Sequence, residues 1–598
     1  MINEENSLGA LTRTYVMDDP GAIVAAILAD VAGTNPATGT PRYYTHDNLG
    51  STRGARMLLL FACILACFPV GAAVIEVEGT DGAAIAQAVA VSAPGDTVAI
   101  PAGVFPIHDA VAPRSGTRIL GAGQDETVLR FVGETPSVFM RLDGVEDVEI
   151  GHMTLDGAGN ANATQGIAGQ DSRRITIHHV TIRDLVKGAG FGPHGIRFTG
   201  VNPTRAQGVT DSVVADCRFE NIGVGAAFGG GIRVSWGSSR NKILRNTIAD
   251  TGRGGIFADN GATDNVIRFN TVSGSGNEGL GIEVWGGSDR SVIEYNTLDH
   301  WLSIGGCDQC AARHNTITDR SGTYKFCGIE AIGSHLIITD NVVDDGAIIG
   351  LSVSSPQEKD YVLWARNTVR ACNQWGAQLQ GEAVGAACHY FHQCTFEKMP
   401  VGVGPVWYPG DEGHGFRIHG NCRNVTFEDC TFRDNDRFGL QILGPNVDAL
   451  HFLRCTITGN KGAAVSGPSD YTALEFTDCA VSGNGDDALP EHKPFSTPPP
   501  AASFTSPRKA RIGEPVVFRN TSTSSGPPIT AALWDLGAGL PVFHDMTRTE
   551  TAAENVPALP PDAASAAFDA AGDYRVTLVV WDASGRAGRA EQTISITP

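Results

Sequence analysis

A chain of 598 residues is long enough for several domains or one extended repeat array, and its 42% hydrophobic residues supply ample core material. Seventy-three glycines with only 18% charged residues argue against a helical bundle and for many short strands joined by turns. The net charge of −21 excludes wholesale nucleic-acid binding, which shows as a basic footprint.

In chain order, the first feature is an apolar run, Met57-Leu-Leu-Leu-Phe-Ala-Cys-Ile-Leu-Ala-Cys-Phe-Pro-Val-Gly-Ala-Ala73, preceded by Arg53 and Arg56. It is too short to span a bilayer and has small residues at its end, so 57–73 reads as a secretory signal. The expectation is a secreted or cell-surface protein with no transmembrane segment. Ile64-Leu-Ala-Cys67 also resembles a lipoprotein cleavage box, a minority reading. Upstream, Arg42-Tyr-Tyr-Thr-His-Asp-Asn-Leu-Gly-Ser-Thr-Arg53 resembles the closing motif of RHS/YD-repeat proteins. Residues 1–56 are therefore set apart from the functional fold, as a fused fragment or a start site placed too early.

Asp81–Ala90 predicts an amphipathic helix, followed by strand-like Pro94–Phe105. From about residue 145 one phrase recurs: apolar–polar alternation, then Asn or Cys, Thr and an aliphatic, then a glycine-rich turn. The marked position falls at Cys217, Asn246, Asn270, Asn296, Asn315, Asn341, Asn367, Cys394, Cys430, Cys455 and Cys479, spaced 19 to 36 residues apart and mostly in the twenties. That period with strand alternation is a solenoid signature, and the run of leucines that a leucine-rich repeat needs is missing. An asparagine at a tight turn can bond the same residue one coil away, forming a ladder. Cysteine at that position fills the volume as a small hydrophobe. Off this ladder, Cys307-Asp-Gln-Cys310 lacks the partners of a zinc site, and a disulfide from Cys307 or Cys310 to Cys327 is the expectation in an exported protein.

The helix-then-strand opening and the coils resemble the pectate-lyase-like superfamily over roughly 74–490. The resemblance implies an all-β fold, a right-handed parallel β-helix at 74–489. After a proline-rich linker at 490–502, read as stiff and extended, alternating strands at 503–598 predict a small β-sandwich. There Trp534-Asp-Leu-Gly-Ala-Gly539 and Phe568-Asp-Ala-Ala-Gly-Asp-Tyr574 resemble motifs of the PKD family of immunoglobulin-like domains. Leu536 and Ala538 depart from that pattern, and no chemistry is assigned to this domain.

A second phrase, Gly-Ile-x-aliphatic-x, marks the candidate functional face, one per coil. Alternation places Arg197, Arg233, Phe257, Glu283, Ser303, Glu330, Ser352, Gln378, Arg417 and Gln441 in one outward column. Asp259 and Trp285 belong to the neighbouring outward column, and His194, His300, Trp375 and His414 lie on the other side. Aromatics, amides and charges along a flat sheet suit a polysaccharide chain. Glu283, Glu330 and Asp259 are the candidate catalytic acids. Arg197, Arg233, Trp285, His194, His300, Trp375, Gln378, His414 and Arg417 are the candidate substrate contacts. With coils ~4.8 Å apart, Glu283 and Glu330 stand ~10 Å apart at the backbone and Asp259 and Glu283 roughly 8 Å. Asp411 and Glu412, beside Trp407 and Tyr408, form a secondary candidate. Gly413-His-Gly415 resembles a polygalacturonase motif, but that family's aspartates have no counterparts here. The reading is a monomeric polysaccharide lyase or glycoside hydrolase. No metal ligand set is assigned; calcium stays open and no other cofactor is called for. The rival reading is a non-catalytic adhesion protein that binds glycans along the same face.

Overall fold

The computed structural model describes residues 72–276, 280–319, 326–355, 360–444, 446–467, 473–547 and 563–598. The N-terminal extension and all but the last two residues of the expected signal lie outside the described residues. Among the described residues, no helix is long and apolar enough to cross a membrane.

Each coil lays down three short strands on three sheets. One coil runs through Gly230–Ser235, Lys242–Leu244 and Thr247–Thr251, and the next begins at Gly254–Asp259. Like strands of successive coils pair in parallel: Arg233 with Phe257, Ile243 with Ile267, Ile248 with Val272. Isoleucine, valine and phenylalanine point inward from all three sheets and fill one continuous core from Val77 to Leu474. The architecture is a right-handed parallel β-helix. At its start the helix α1 (Gly82–Val91) buries Ile85, Ala88 and Val89 and covers the first coil, with Asp81 capping the Ala84 N–H at 3.0 Å.

The corners hold the coils in register. Asn270 Oδ1 accepts both the backbone N–H and the side-chain Nδ2–H of Asn246 at 3.0 Å. Asn296, Asn315, Asn341 and Asn367 repeat the arrangement. Each amide also donates inward, as Asn246 does to Val214 O at 3.0 Å, so the buried corner leaves no amide group idle. Cys394, Cys430 and Cys455 continue the column fully buried. Two further ladders escape the sequence reading: Ser212–Asn241–Asn265 at the next corner, and Asn435–Asn460–Asn484 at the third.

The expected disulfide is absent, and every described cysteine is a free thiol. Cys310 belongs to the second ladder, accepting the Ser291 N–H at 3.4 Å, while Cys307 donates to Val284 O. Cys327 packs in a separate cluster with Ile348, Ile349 and Trp375. Cys307 stacks on Gly333, at the far end of the strand that Cys327 opens, so the length of a strand separates these sulfurs.

Just before the second sheet, each coil turns through a left-handed non-glycine residue: Asp147, Arg174, Asp211, Arg240, Asp264 and Arg290, with φ from 51° to 59°. That backbone costs on the order of 1 kcal/mol per residue. Alternating charge along the column joins neighbours in forked ion pairs, at 2.6 Å for Arg174–Asp147 and 2.7 Å for Arg240–Asp211 and Arg290–Asp264.

The C-terminal strands form a three-stranded and a five-stranded sheet closed around Phe518, Trp534, Leu578 and Val580. This sandwich is not held off on a stiff spacer. Lys493 pairs antiparallel with Leu474, and Phe495 N–H donates to Glu475 at 2.8 Å, so the linker lies back on the last coils. Leu533, Val579 and Trp581 bury against Ile337, Leu363 and Tyr390 of the solenoid. Arg313, buried at the junction, bonds Glu294 at 2.8 Å, Asp535 at 2.9 Å and Gly539 O at 2.7 Å. Such an arginine is stable only because both carboxylates are present.

Asn315→Ala removes the acceptor of two Asn296 donors in a water-free corner. At about 1–3 kcal/mol for each stranded group, the variant is expected to lose about 3 kcal/mol in urea unfolding. A loss under about 1 kcal/mol would show that the ladder is dispensable.

Candidate active site

The Gly-Ile-x column is continuous in the pairing register, from Arg197 through Arg233, Phe257, Glu283, Ser303, Glu330, Ser352, Gln378 and Arg417 to Gln441. It is not a flat open face. Arg233, Glu283 and Gln378 are at most 8% exposed, because flanking loops rise over the sheet. Phe191 and Phe228, stacked at 5.2 Å, overhang its upper end, and the segment carrying Trp407 and Tyr408 overhangs the lower. The column forms the floor of a groove.

At its centre is a trough of about 480 Å³ lined by Arg233, Arg253, Phe257, Asp259, Glu283, Trp285, Trp301, Ser303 and Glu330, among others. All three candidate acids therefore share one cavity. Their surroundings differ. Asp259 contacts Arg233 directly, and Glu283 accepts a hydrogen bond from Arg253 at 3.0 Å. Glu330 is held by a neutral partner, the Ser303 hydroxyl at 2.7 Å. Burial raises the pKa of Asp259 against the pull of Arg233, and burial likewise raises Glu283 against Arg253. Glu330 is pushed up to about 6 by burial, with the Ser303 hydrogen bond opposing and the Glu283 charge adding.

Trp285 lies flat across the next coil. A Cβ at Gly305 would fall 1.9 Å from its ring, so glycine there is what lets the indole lie down. Its flat position makes it a platform for a sugar ring. Trp301 forms the opposite wall. A register shift between Leu280 and Ile282 pairs Leu280 with Trp301, which puts the tryptophan where the sequence reading placed His300.

Arg197 lies one coil above Arg233 under Phe191, whose ring both guanidiniums face, at 5.5 and 4.7 Å. Beyond Trp301, a second group surrounds Asp411. His414 Nε2 lies 3.0 Å and Arg417 3.6 Å from its carboxylate, and Trp375 Nε1 donates to its carbonyl at 2.6 Å. Arg417 stacks over Trp375 at 4.1 Å. Gln378 bonds Gln380 at 2.9 Å on the groove floor. Glu412, at 7% exposure, accepts the Gly410 N–H and anchors the loop.

Four expected contacts are corrected. His194, His300, Trp375 and His414 are fully buried and reach no groove solvent. Each ring serves a neighbouring loop or strand instead: His194 bonds Gln165, His300 bonds Asp299, and Trp375 and His414 pin Asp411. Arg253, Trp301, Phe191 and Phe228 are the groove residues that sequence reasoning missed. Arg253 precedes the repeated phrase, between Gly252 and Gly254, and its position in the coil was the available signal.

The family described as "right handed beta helix region" matches residues 144–298 and 408–481. A curated relative, the mannuronan C5-epimerase AlgE2 of Azotobacter vinelandii, is 28% identical over 221 residues, 31% of this chain and 21% of the relative. The chain thus spans about a fifth of that relative's length. Among solved structures, the PKD1 domain of the Vibrio cholerae metalloprotease PrtV is similar to 17% of this chain over 99% of its own, at 28% identity and TM-score 0.13. The catalytic domain of a GH87 alpha-1,3-glucanase in complex with tetrasaccharides is 15% identical, covering 59% of this chain and 69% of its own with TM-score 0.44.

Proposed function

We propose that the groove binds a polysaccharide lengthwise and performs acid–base chemistry on it at the trough. The observation that carries this reading is the convergence of three desolvated carboxyls, of which one, Glu330, keeps its proton to about pH 6 beside two that face arginines. Enzymes that cleave glycosidic bonds need such a split pair, one carboxyl protonated and one ionised. Glu330 is the proton donor to the leaving oxygen. Glu283, whose burial is opposed by a hydrogen bond from Arg253, is the base that activates water. Two coils separate their backbones by ~10 Å, which leaves room for water in an inverting displacement, where carboxyls stand about 6.5–9.5 Å apart. Asp259 holds Arg233 in place, and Trp285 carries a sugar ring.

Elimination or epimerisation at a uronate is the second reading. Arg197 and Arg233, placed to neutralise a substrate carboxylate on the coils just above, favour it, and the mannuronan epimerase relative supports it. The apolar stretch 57–73 supports export to where such polymers occur, and the motifs around Trp534 and Tyr574 support a PKD-type accessory role for the sandwich.

A panel of neutral and uronate polysaccharides tests the proposal. New reducing ends without ultraviolet absorbance mean hydrolysis; a new absorbing double bond means elimination. Glu283→Gln and Glu330→Gln are each expected to reduce turnover at least about a hundredfold, the scale of one general acid or base. Wild-type turnover should fall as pH rises through about 6, where Glu330 loses its proton. Binding without turnover across the panel, or full activity in both variants, overturns the enzyme reading.

Stability gives an independent check. A carboxyl with a higher pKa folded than unfolded binds its proton longer in the native state, so its contribution to stability falls as pH rises from 4.5 to about 6. Glu330→Gln removes that penalty. The variant is expected to be about 1–2 kcal/mol more stable than wild type at pH 7.5, with the gain gone below pH ~4, by chemical denaturation.

A further inference from the structure

Three histidines converge on the outer corner of two early coils, on sheets other than the groove floor. Gly151 pairs with His178 and Met153 with Val180, so His152 and His179 stand opposite each other on successive coils. Both occupy left-handed corner positions, with φ of 59° and 50°. Their rings stack at 5.1 Å, and His178 turns its edge to each, at 5.0 and 5.3 Å. One nitrogen from each of the three rings lies within 4.8 Å of the others.

We propose that His152, His178 and His179 form a binding site for one divalent transition ion, Zn²⁺ in the first place. One nitrogen pair already stands at the spacing of a zinc site. His178 Nδ1 and His179 Nδ1 are 3.1 Å apart, and two imidazoles bound tetrahedrally at about 2.0–2.1 Å have their nitrogens about 3.3 Å apart. The outer shell is also in place. Glu149 accepts from His178 Nε2 at 3.0 Å, which directs the His178 Nδ1 lone pair toward the other rings, and Arg118 holds the far oxygen of Glu149 at 3.0 Å. Three protein ligands leave the fourth position to water.

Two comparisons within the chain single out this corner. Elsewhere in the same column, neighbours close on each other as Asp216–Arg245 or Asp340–Arg366 ion pairs, or as the Phe269–Tyr295 stack. Here the third ring comes from outside the column, and Gly151 makes room for it: a Cβ there would lie 2.7 Å from His178 Cε1. Among the described residues, the other convergence of ligand types, His392 with Glu428 and Asp429, is already neutralised, because Arg454 and Arg589 each bond Glu428 at 2.6 Å.

The test uses the tag-free full chain, stripped with chelator and titrated with Zn²⁺ by calorimetry and with Co²⁺ by visible absorption. One zinc per chain is expected, with a tetrahedral Co²⁺ spectrum. His152→Ala and His179→Ala should each weaken binding at least about tenfold, Glu149→Gln about 10–100-fold, and His108→Ala, an exposed histidine outside the cluster, not at all. Gly151→Ala should weaken binding by displacing the His178 ring; the side-chain variants cover the case in which it misfolds. Uptake well below one zinc per chain at saturating metal, or undiminished binding in the His152→Ala/His179→Ala double variant, overturns the proposal.

Discussion

Hydrogen bonding along the axis, from one coil to the same residue of the next, is the constraint on which everything else in this protein rests. A β-helix has three corners per coil, and where a corner side chain turns into the core, water cannot satisfy its amide. The Asn246–Asn367 column meets that demand with side chains that imitate a strand: each carboxamide accepts from one neighbour and donates to the other. Once corners are locked in this way, strand register is locked too, and a residue at a given place in the repeat stands directly above its counterpart. The groove floor is therefore a column with a spacing set by the backbone.

That spacing explains how carboxyls can be gathered without being fused. Residues two coils apart are close enough to feel each other's charge and too far apart to share a proton. The flanking loops supply the other half of the arrangement. They remove water from the floor, so Glu330 retains its proton to about pH 6 while Glu283 and Asp259 face arginines. One sheet position thus acquires two electrostatic settings, a neutral hydroxyl partner at Glu330 and an arginine partner at Glu283, through its surroundings alone. The solenoid fixes spacing, and the loops fix electrostatics.

The division of labour also explains what could be read from the residues. Register, column membership and the Asn–Cys ladder follow from a repeat of twenty-odd residues, and all are visible in Asn-Thr-Ile and Gly-Ile phrases. The corners Asn241–Asn265 and Asn435–Asn484 went unnoticed because their flanking words vary from coil to coil. Burial was invisible where it depended on loops folding back: nothing near His194 announces that Phe191 and Phe228 cover it. The exchange of His300 for Trp301 turns on a single-residue register shift, which alternation alone does not reveal. The disulfide expectation failed for the same kind of reason, since proximity in sequence says little about where along its coil a cysteine stands.

The docked sandwich has a mechanical consequence. Solenoids tend to fray coil by coil from their ends, since each coil touches only its neighbours. Here the docked sandwich bonds the stack through Asp535 at Arg313 and its partner Glu294, again at Glu428 through Arg589, and again at Glu475 through Arg586. Opening the coils at those points breaks the bonds to the sandwich as well as those to the neighbouring coils. The C-terminal half of the solenoid, with the lower part of the groove, is thereby converted from a zipper into a single cooperative block. The coils before it keep the looser behaviour of an ordinary stack.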